Sequence, residues 1–284
     1  MGQGEYSGVG VGLRRSHLEQ LAARPEHGVP FWETCPENVI GDGGRHHRFA
    51  HAILERDAVL THGLSLSLGG FDAWDEDYLQ GLRGFLPKAD TPWHSEHLCF
   101  TSVDGSSLHE LLPLPFTREA VTHTVARVKD LQARLPVPLI LENITYYAEL
   151  GQPEMDEATF ITEVLEGADA GWLLDINNAY VNALNFGFAP KEWLRRMPLD
   201  RVVQMHIAGH RKFGDLTIDT HGAEVIDPVI ELMQWTLARI GRPVPVLLER
   251  DNHIPDLEIL LAERNRIQDA YDAVMAVPAG RTHA

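Results

Sequence analysis

"GWLLDI", residues 171–176, is a short apolar run bounded by glycine that ends on a carboxylate. Its length and its Trp and Leu content suit a fully buried strand better than a helix. The same design recurs along the chain as "GVGVGL" (8–13), "PFWET" (30–34), "AVLTHGL" (58–64), "WHSEHL" (93–98), "PLILEN" (138–143), "VVQMHI" (202–207) and "PVLLER" (245–250). Helical patterns lie between them. Residues 117–135 place Val121, Val125, Val128, Leu131 and Leu135 on one stripe behind Thr117 as N-cap. Residues 227–241 carry Pro228 near the start and Gly241 past the end, and 156–167 form a third segment. No internal repeat or low-complexity linker divides the chain. Eight such strands alternating with helices predict an α/β fold, a single (β/α)8 TIM barrel forming one domain over residues 1–284. A doubly wound open sheet is the alternative.

The composition agrees with a chain that buries a sizeable core: 284 residues, 44% hydrophobic and 23% charged. The formal net charge of −17 disfavours nucleic acid, whose phosphates need a basic face. Two cysteines, Cys35 and Cys99, are too few for a disulfide framework and point to a reducing compartment. No signal-peptide core follows the N-terminus and no apolar run reaches membrane-spanning length. The expectation is a cytoplasmic protein without membrane contact, its "AVPAGRTHA" end frayed.

In a TIM barrel the active site lies at the C-terminal ends of the strands. After the first, the strands end with Glu33, His62, His97, Glu142, Asp175, His206 and Glu249. "MHIAGHRKFGDLTIDTHG" (205–222) extends the seventh strand and adds His210, Asp219 and His221. Asp219 and His221 are two apart, so an extended backbone would aim both side chains one way. A ring of carboxylates with few basic neighbours carries a heavy desolvation and repulsion cost unless cations compensate it. Mixed nitrogen and oxygen donors without a necessary thiolate suit iron, manganese or zinc, and two or three ions bridged by Glu142 or Glu249 would use them all.

The remaining histidines read as structural. His46 and His47 fall in a polar stretch read as a loop, His109 in a loop and His123 in a helical pattern. His94 faces opposite to His97, and His17, His27, His51, His253 and His283 have no partner pattern. No nucleophile elbow or phosphate-binding glycine loop stands out.

The strings "THGLSLSLGG" (61–70), "SEHLCF" (95–100), "LILENI" (139–144), "LLDINNAYVNALN" (173–185), "MHIAGH" (205–210), "DTHG" (219–222) and "LLERD" (247–251) together resemble the multinuclear non-haem iron-dependent oxidative enzymes. That family includes the methanobactin biosynthesis oxidase and relatives that modify peptide cysteines. The resemblance runs over nearly the whole chain. It implies a (β/α)8 barrel holding two or three iron ions, Fe(II) and Fe(III) mixed, with O2 as co-substrate. It implies His62, His97, Glu142, Asp175, His206, Asp219, His221 and Glu249 as ligands. His62, His97 and Glu142 would serve one iron. Asp175, His206 and Glu249 would serve a second, with Glu142 bridging, and Asp219 and His221 a third. Asn143, Asn178 and His210 would support them. The implied substrate is a ribosomally made, cysteine-containing precursor peptide, presented by a separate leader-recognition protein because no segment here is large enough for that role. "FWETCPENVI" departs from the pattern in carrying Cys35 and Pro36, and a Cys35 facing the irons would tune them or mimic the substrate thiolate. Three other readings compete: a metal-dependent sugar isomerase or epimerase, a trinuclear-metal hydrolase, which would want a basic DNA face, and a metal-holding scaffold without turnover.

Overall fold

A computed structural model describes residues 6–41 and 43–276. The strands, in chain order, are β1 (Val9–Gly12), β2 (Trp32–Thr34), β3 (Val59–Gly63), β4 (His94–His97), β5 (Phe100–Val103), β6 (Ser106–Leu112), β7 (Leu139–Glu142), β8 (Gly171–Asp175), β9 (Val202–Ala208), β10 (Arg211–Phe213), β11 (Leu216–Ile218) and β12 (Val246–Glu249). Eight of them close into a parallel barrel in the order β1-β12-β9-β8-β7-β4-β3-β2, with helices between. The eight apolar runs read from the sequence are these eight strands, and the open-sheet alternative is excluded by closure. The two antiparallel pairs, β5–β6 and β10–β11, were not foreseen. They follow β4 and β9 and so stand on the C-terminal face.

The alternation of side chains builds two cores. Outward-facing Val9, Val11, Trp32, Val59, Leu139, Leu141, Trp172, Leu174, Met205, Ile207, Val246 and Leu248 join the layer shared with the helices. Inside the barrel, Tyr6, Phe31, Leu60, Trp93, Ile140, Leu173 and Leu247 form a separate apolar floor. Gly10 faces inward opposite Phe31, and a Cβ there would sit 2.3 Å from the ring. Two residues further along, the inward positions of six strands become Glu33, His62, Ser95, Glu142, Asp175 and Glu249. That step from floor to mouth, one pleat long, places the site.

The helices start where their caps dictate. Thr117 accepts from Ala120 N ahead of Arg118–Arg134, and Asp156 accepts from Thr159 N ahead of Glu157–Ala168. Asp227–Ile240 has Pro228 in its first turn and ends on Gly241 in the left-handed region. His46 and His47 lie in the helix Gly44–Leu54, not a loop, and His109 lies in β6. The first turns of that helix are polar and its buried residues, Ala50, Ile53 and Leu54, come only at its end, whereas β6 is exposed along most of its length. His283 and the tail from 277 onward lie outside the described residues. No described helix is long and apolar enough to cross a membrane.

Candidate metal centre

Strand register sets the ring level. His97 pairs with Glu142, His62 with Ser95, and Asp175 with His206 across neighbouring strands. His62, His97, Glu142, Asp175, His206 and Glu249 are all buried. Their donor atoms converge in overlapping groups: His62, His97 and Glu142; Glu142, Asp175, His206 and Glu249; and His62, His206 and Glu249, each within 4.8 Å.

The outer nitrogen of each imidazole shows what its inner nitrogen carries. His97 Nδ1 lies 3.2 Å from the Gly63 carbonyl, which can only accept, so the ring's proton sits there. Ser95 Oγ donates to the Thr61 carbonyl and accepts from His62 Nδ1 at 2.8 Å. Both Nε2 atoms therefore point inward, 3.2 Å apart, and each is 3.1 Å from Glu142 Oε2. In the neutral rings three acceptors face one point, and Glu142 Oε2 has no hydrogen bond.

His206 repeats the arrangement. Trp93 Nε1 donates to Gln204 Oε1 at 2.8 Å, which fixes the amide so that Gln204 Nε2 donates to Glu33. His206 Nε2 lies 3.0 Å from Gln204 Nε2 and 3.2 Å from Glu33 Oε2, so the amide and the carboxylate together orient the ring. His206 Nδ1 faces Glu142 Oε1 and Glu249 Oε2, at 3.1 and 3.2 Å, with hydrogen-bond geometry to neither. Asp175 caps the helix Ile176–Phe186 by accepting from Asn178 N through Oδ1, while Oδ2 is buried and unpartnered.

Electrostatics describe the strain of this crowd. Burial and the neighbouring Glu142, Glu249 and Asp219 push the Asp175 carboxyl far above its usual range. Burial also works against ionised Glu142, but His97, His206 and His62 outweigh it and hold it low. Burial opposes a charged His62 too, yet Glu142 and Glu33 lift it to about 9. Burial, with His62 beside it, takes His97 down to about 4. Imidazolium here substitutes for missing positive charge. The donor set and its orphaned acceptor atoms fit divalent or trivalent cations.

At the rim, His221 lies 2.9 Å from Asp219 and 3.1 Å from Asp251, with Glu249 at 3.4 Å. The tight cluster at this place is His221, Glu249 and Asp251; Asp219 reaches only His221. The expected extended backbone is not what joins Asp219 to His221, because His221 has φ +46, in the left-handed region. Asp219 is further held by Asn177 Nδ2 at 2.7 Å, and its N–H donates to Tyr147 Oη.

The supporting residues have definite tasks. Asn143 clamps the Asp175 backbone, donating to its carbonyl and accepting from its N–H, each at 3.0 Å. Asn178 donates to the Asn143 carbonyl. His210 contacts Asn177 Oδ1 at 2.8 Å and stacks on Tyr180, joining none of the clusters. His94 faces outward and contacts Thr61 Oγ1. The sequence reading missed Asp251, Ser95 and Gln204, and counted Glu33 in the ring without a task. Asp251 was legible as the polar residue two beyond Glu249, on the same side of an extended chain. Arg14 pairs with Asp251 and helps hold its carboxyl low, and Arg250 is engaged with Glu263. Cys35 joins none of the clusters among the described residues, and burial pushes its thiol up.

Solved structures with this architecture include a xylose isomerase domain protein from Alicyclobacillus acidocaldarius (TM-score 0.59, 15% identity, 95% of this chain and 98% of that one). A 3-keto-D-glucoside 4-epimerase from E. coli aligns at TM-score 0.60 with 12% identity over 93% and 99% of the two chains. At such identities the likeness concerns the fold alone. Sequence relatives are much nearer. A UPF0276 protein of Pseudomonas aeruginosa is 46% identical over 93% of this chain and 92% of its own length. One from Shewanella amazonensis is 42% identical over 92% and 93%. The sequence model of the family described as "RiPP precursor modification enzyme MbnB/TglH/ChrH" matches residues 8–272, from β1 through the final helix. The chain belongs to that family of enzymes, which modify the precursors of ribosomally made peptides.

Proposed function

We propose that this enzyme holds two or three iron ions, Fe(II) and Fe(III) together, and uses O2 to oxidise a residue, most favourably cysteine, of a ribosomally made precursor peptide. The observation that carries the reading is the convergence of three inward-facing imidazole nitrogens and three buried carboxylates, with orphaned Glu142, Asp175 and His206 atoms among them. His62, His97 and Glu142 would hold one ion. Asp175, His206 and Glu249 would hold a second, with Glu142 shared. His221, with Asp219 on one side and Asp251 on the other, would hold a third. Iron bound there supplies a Lewis acid for a thiolate and a redox couple for O2.

The chain's own residues do the rest. Ser95, the Gly63 carbonyl and the Glu33–Gln204 pair hold the three rings in place, so that loss of a proton to the incoming cation is enough for them to ligate. The apolar floor closes the barrel below the site, so substrate must enter from the face that carries the two hairpins. Tyr147, hydrogen bonded to Asp219 N, stands at that entrance. A separate protein that recognises the leader of the peptide is part of the proposal.

The test is elemental analysis of protein purified without chelator, followed by O2 consumption and mass spectrometry with a candidate precursor. Two or three irons per chain and an oxidised cysteine support the reading. Zinc or manganese that persists after anaerobic iron reconstitution, without O2 uptake, would sink it in favour of isomerase or hydrolase chemistry.

A further inference from the structure

Beside the barrel mouth, the loop after β7 and the helix Glu157–Ala168 enclose part of a cavity of about 380 Å3. Its walls are aromatic: Phe116, Tyr146, Phe186, Phe188 and Trp193. Tyr146 packs against Phe186 at 4.7 Å and edge-on to Phe116 at 5.7 Å, so these walls are already assembled. The inner wall carries Glu157, 8% exposed. One of its oxygens, Oε2, has no donor in hydrogen-bond geometry although the Trp193 indole stands beside the carboxyl, and Oε1 receives a 3.4 Å contact from Asn182. Glu149, Asp156 and Glu192 add three more carboxyls to the lining. The cation of the lining, Arg196, is engaged by both oxygens of Asp156 at 2.8 and 2.7 Å.

An aromatic box with an unpaired buried carboxyl selects its ligand by charge. An anion meets four acids. An uncharged apolar group fills the box but leaves Glu157 unpaired. An organic cation on an apolar stem satisfies both the ring faces and the carboxylate. Tyr146 stands four residues beyond Glu142, and Glu157 opens the helix that follows, so the cavity is fed by the loop leaving a strand of the metal centre. We propose that this cavity receives a lysine or arginine side chain of the peptide substrate, with Glu157 as its counter-charge, anchoring the peptide away from the reacting residue. The proposal rests on the peptide-modifying reading but not on the metal. The chain's net charge of −17 favours a basic partner in the same sense.

Burial holds Glu157 up at about 8, with Asp156 and Glu149 adding to it and the Trp193 indole and Asn182 acting against it. Across the cavity, Glu192, Arg196 and Tyr146 complete the titratable groups that face it. Entry of a cation at neutral pH should therefore release a proton.

The experiment is calorimetric titration of the full chain, after chelation, at pH 7 in two buffers of different ionisation enthalpy. The probes are the N-acetyl methylamides of lysine, arginine and norleucine, and n-pentylammonium. Lysine or arginine should bind at least about tenfold more tightly than norleucine, with buffer-dependent proton release. Glu157→Gln should weaken the cation by a similar factor and remove the proton release. If that variant does not fold, Glu149→Gln with Glu192→Gln should still weaken it about two- to threefold, as expected for exposed charges. Equal binding of norleucine, unchanged affinity in Glu157→Gln, or no binding of any probe overturns the assignment. Tighter binding of n-pentylammonium than of the capped residues would make this a small-amine site and overturn the peptide anchor. None of these outcomes depends on turnover, so failure of the iron reading is separately visible.

Discussion

Glu157 makes stability depend on pH in a way that can be isolated. Its carboxyl is raised from 4.5 to about 8, chiefly by burial. Each pK unit is worth about 1.4 kcal/mol, so the ceiling is about 5 kcal/mol, and relaxation of the site reduces it to about 2–5 kcal/mol. The native state binds the extra proton, because its pKa exceeds the unfolded value. Stability from this residue is therefore fully present below about pH 4.5, falls as pH rises toward 8, and is level above that. Glu157→Gln keeps the shape and removes the titration. Urea unfolding of both proteins after chelation, at pH 5 to 9, gives the difference free of the metal centre's own protons. The variant should gain about 2–4 kcal/mol relative to the parent between pH 5 and 8 and little further above 8. A difference that stays constant within about 1 kcal/mol, the cost of an ordinary surface-like change, would refute the buried neutral acid.

Three further outcomes follow from the geometry. Glu33→Leu removes the carboxylate that helps orient His206, and metal affinity should fall about 10- to 100-fold by chelator competition; unchanged affinity would show that Glu33 does not orient the ring. Gly10→Ala puts a methyl 2.3 Å from the Phe31 ring and should cost about 1–3 kcal/mol by denaturant unfolding, partly recovered when Phe31→Leu is added. Thr117→Ala removes the cap of the helix Arg118–Arg134 and should cost about 1 kcal/mol, with a lower thermal midpoint and no change in metal content.

Local sequence was sufficient for the barrel because each strand declares itself twice. "LILE" and "WLLD" carry both the apolar content of a buried strand and the polar residue that ends it, so strand existence and mouth position were readable together. Glu142 and Asp175 fall on the barrel axis because they sit two residues beyond Ile140 and Leu173 of the floor. Pleating alone requires that. The hairpins were hidden because their residues are exposed and their pairing depends on turns rather than on an apolar face.

What the sequence by itself determined, then, was the eight-strand frame, the helix cap at Thr117, and the band of carboxylates and imidazoles at the mouth. Those depend on period, propensity and capping, which are properties of neighbours along the chain. Only the tertiary structure decided which donors share a point. Asp251 rather than Asp219 completes the tight cluster with His221 and Glu249, because a left-handed residue and the register of distant loops set those distances. Only the tertiary structure gave Glu33 its task, since its partner His206 is 173 residues away. The cavity around Glu157 belongs to the same class. Its walls come from four separate stretches of chain, and the free energy of an unpaired acid is set by what surrounds it in space.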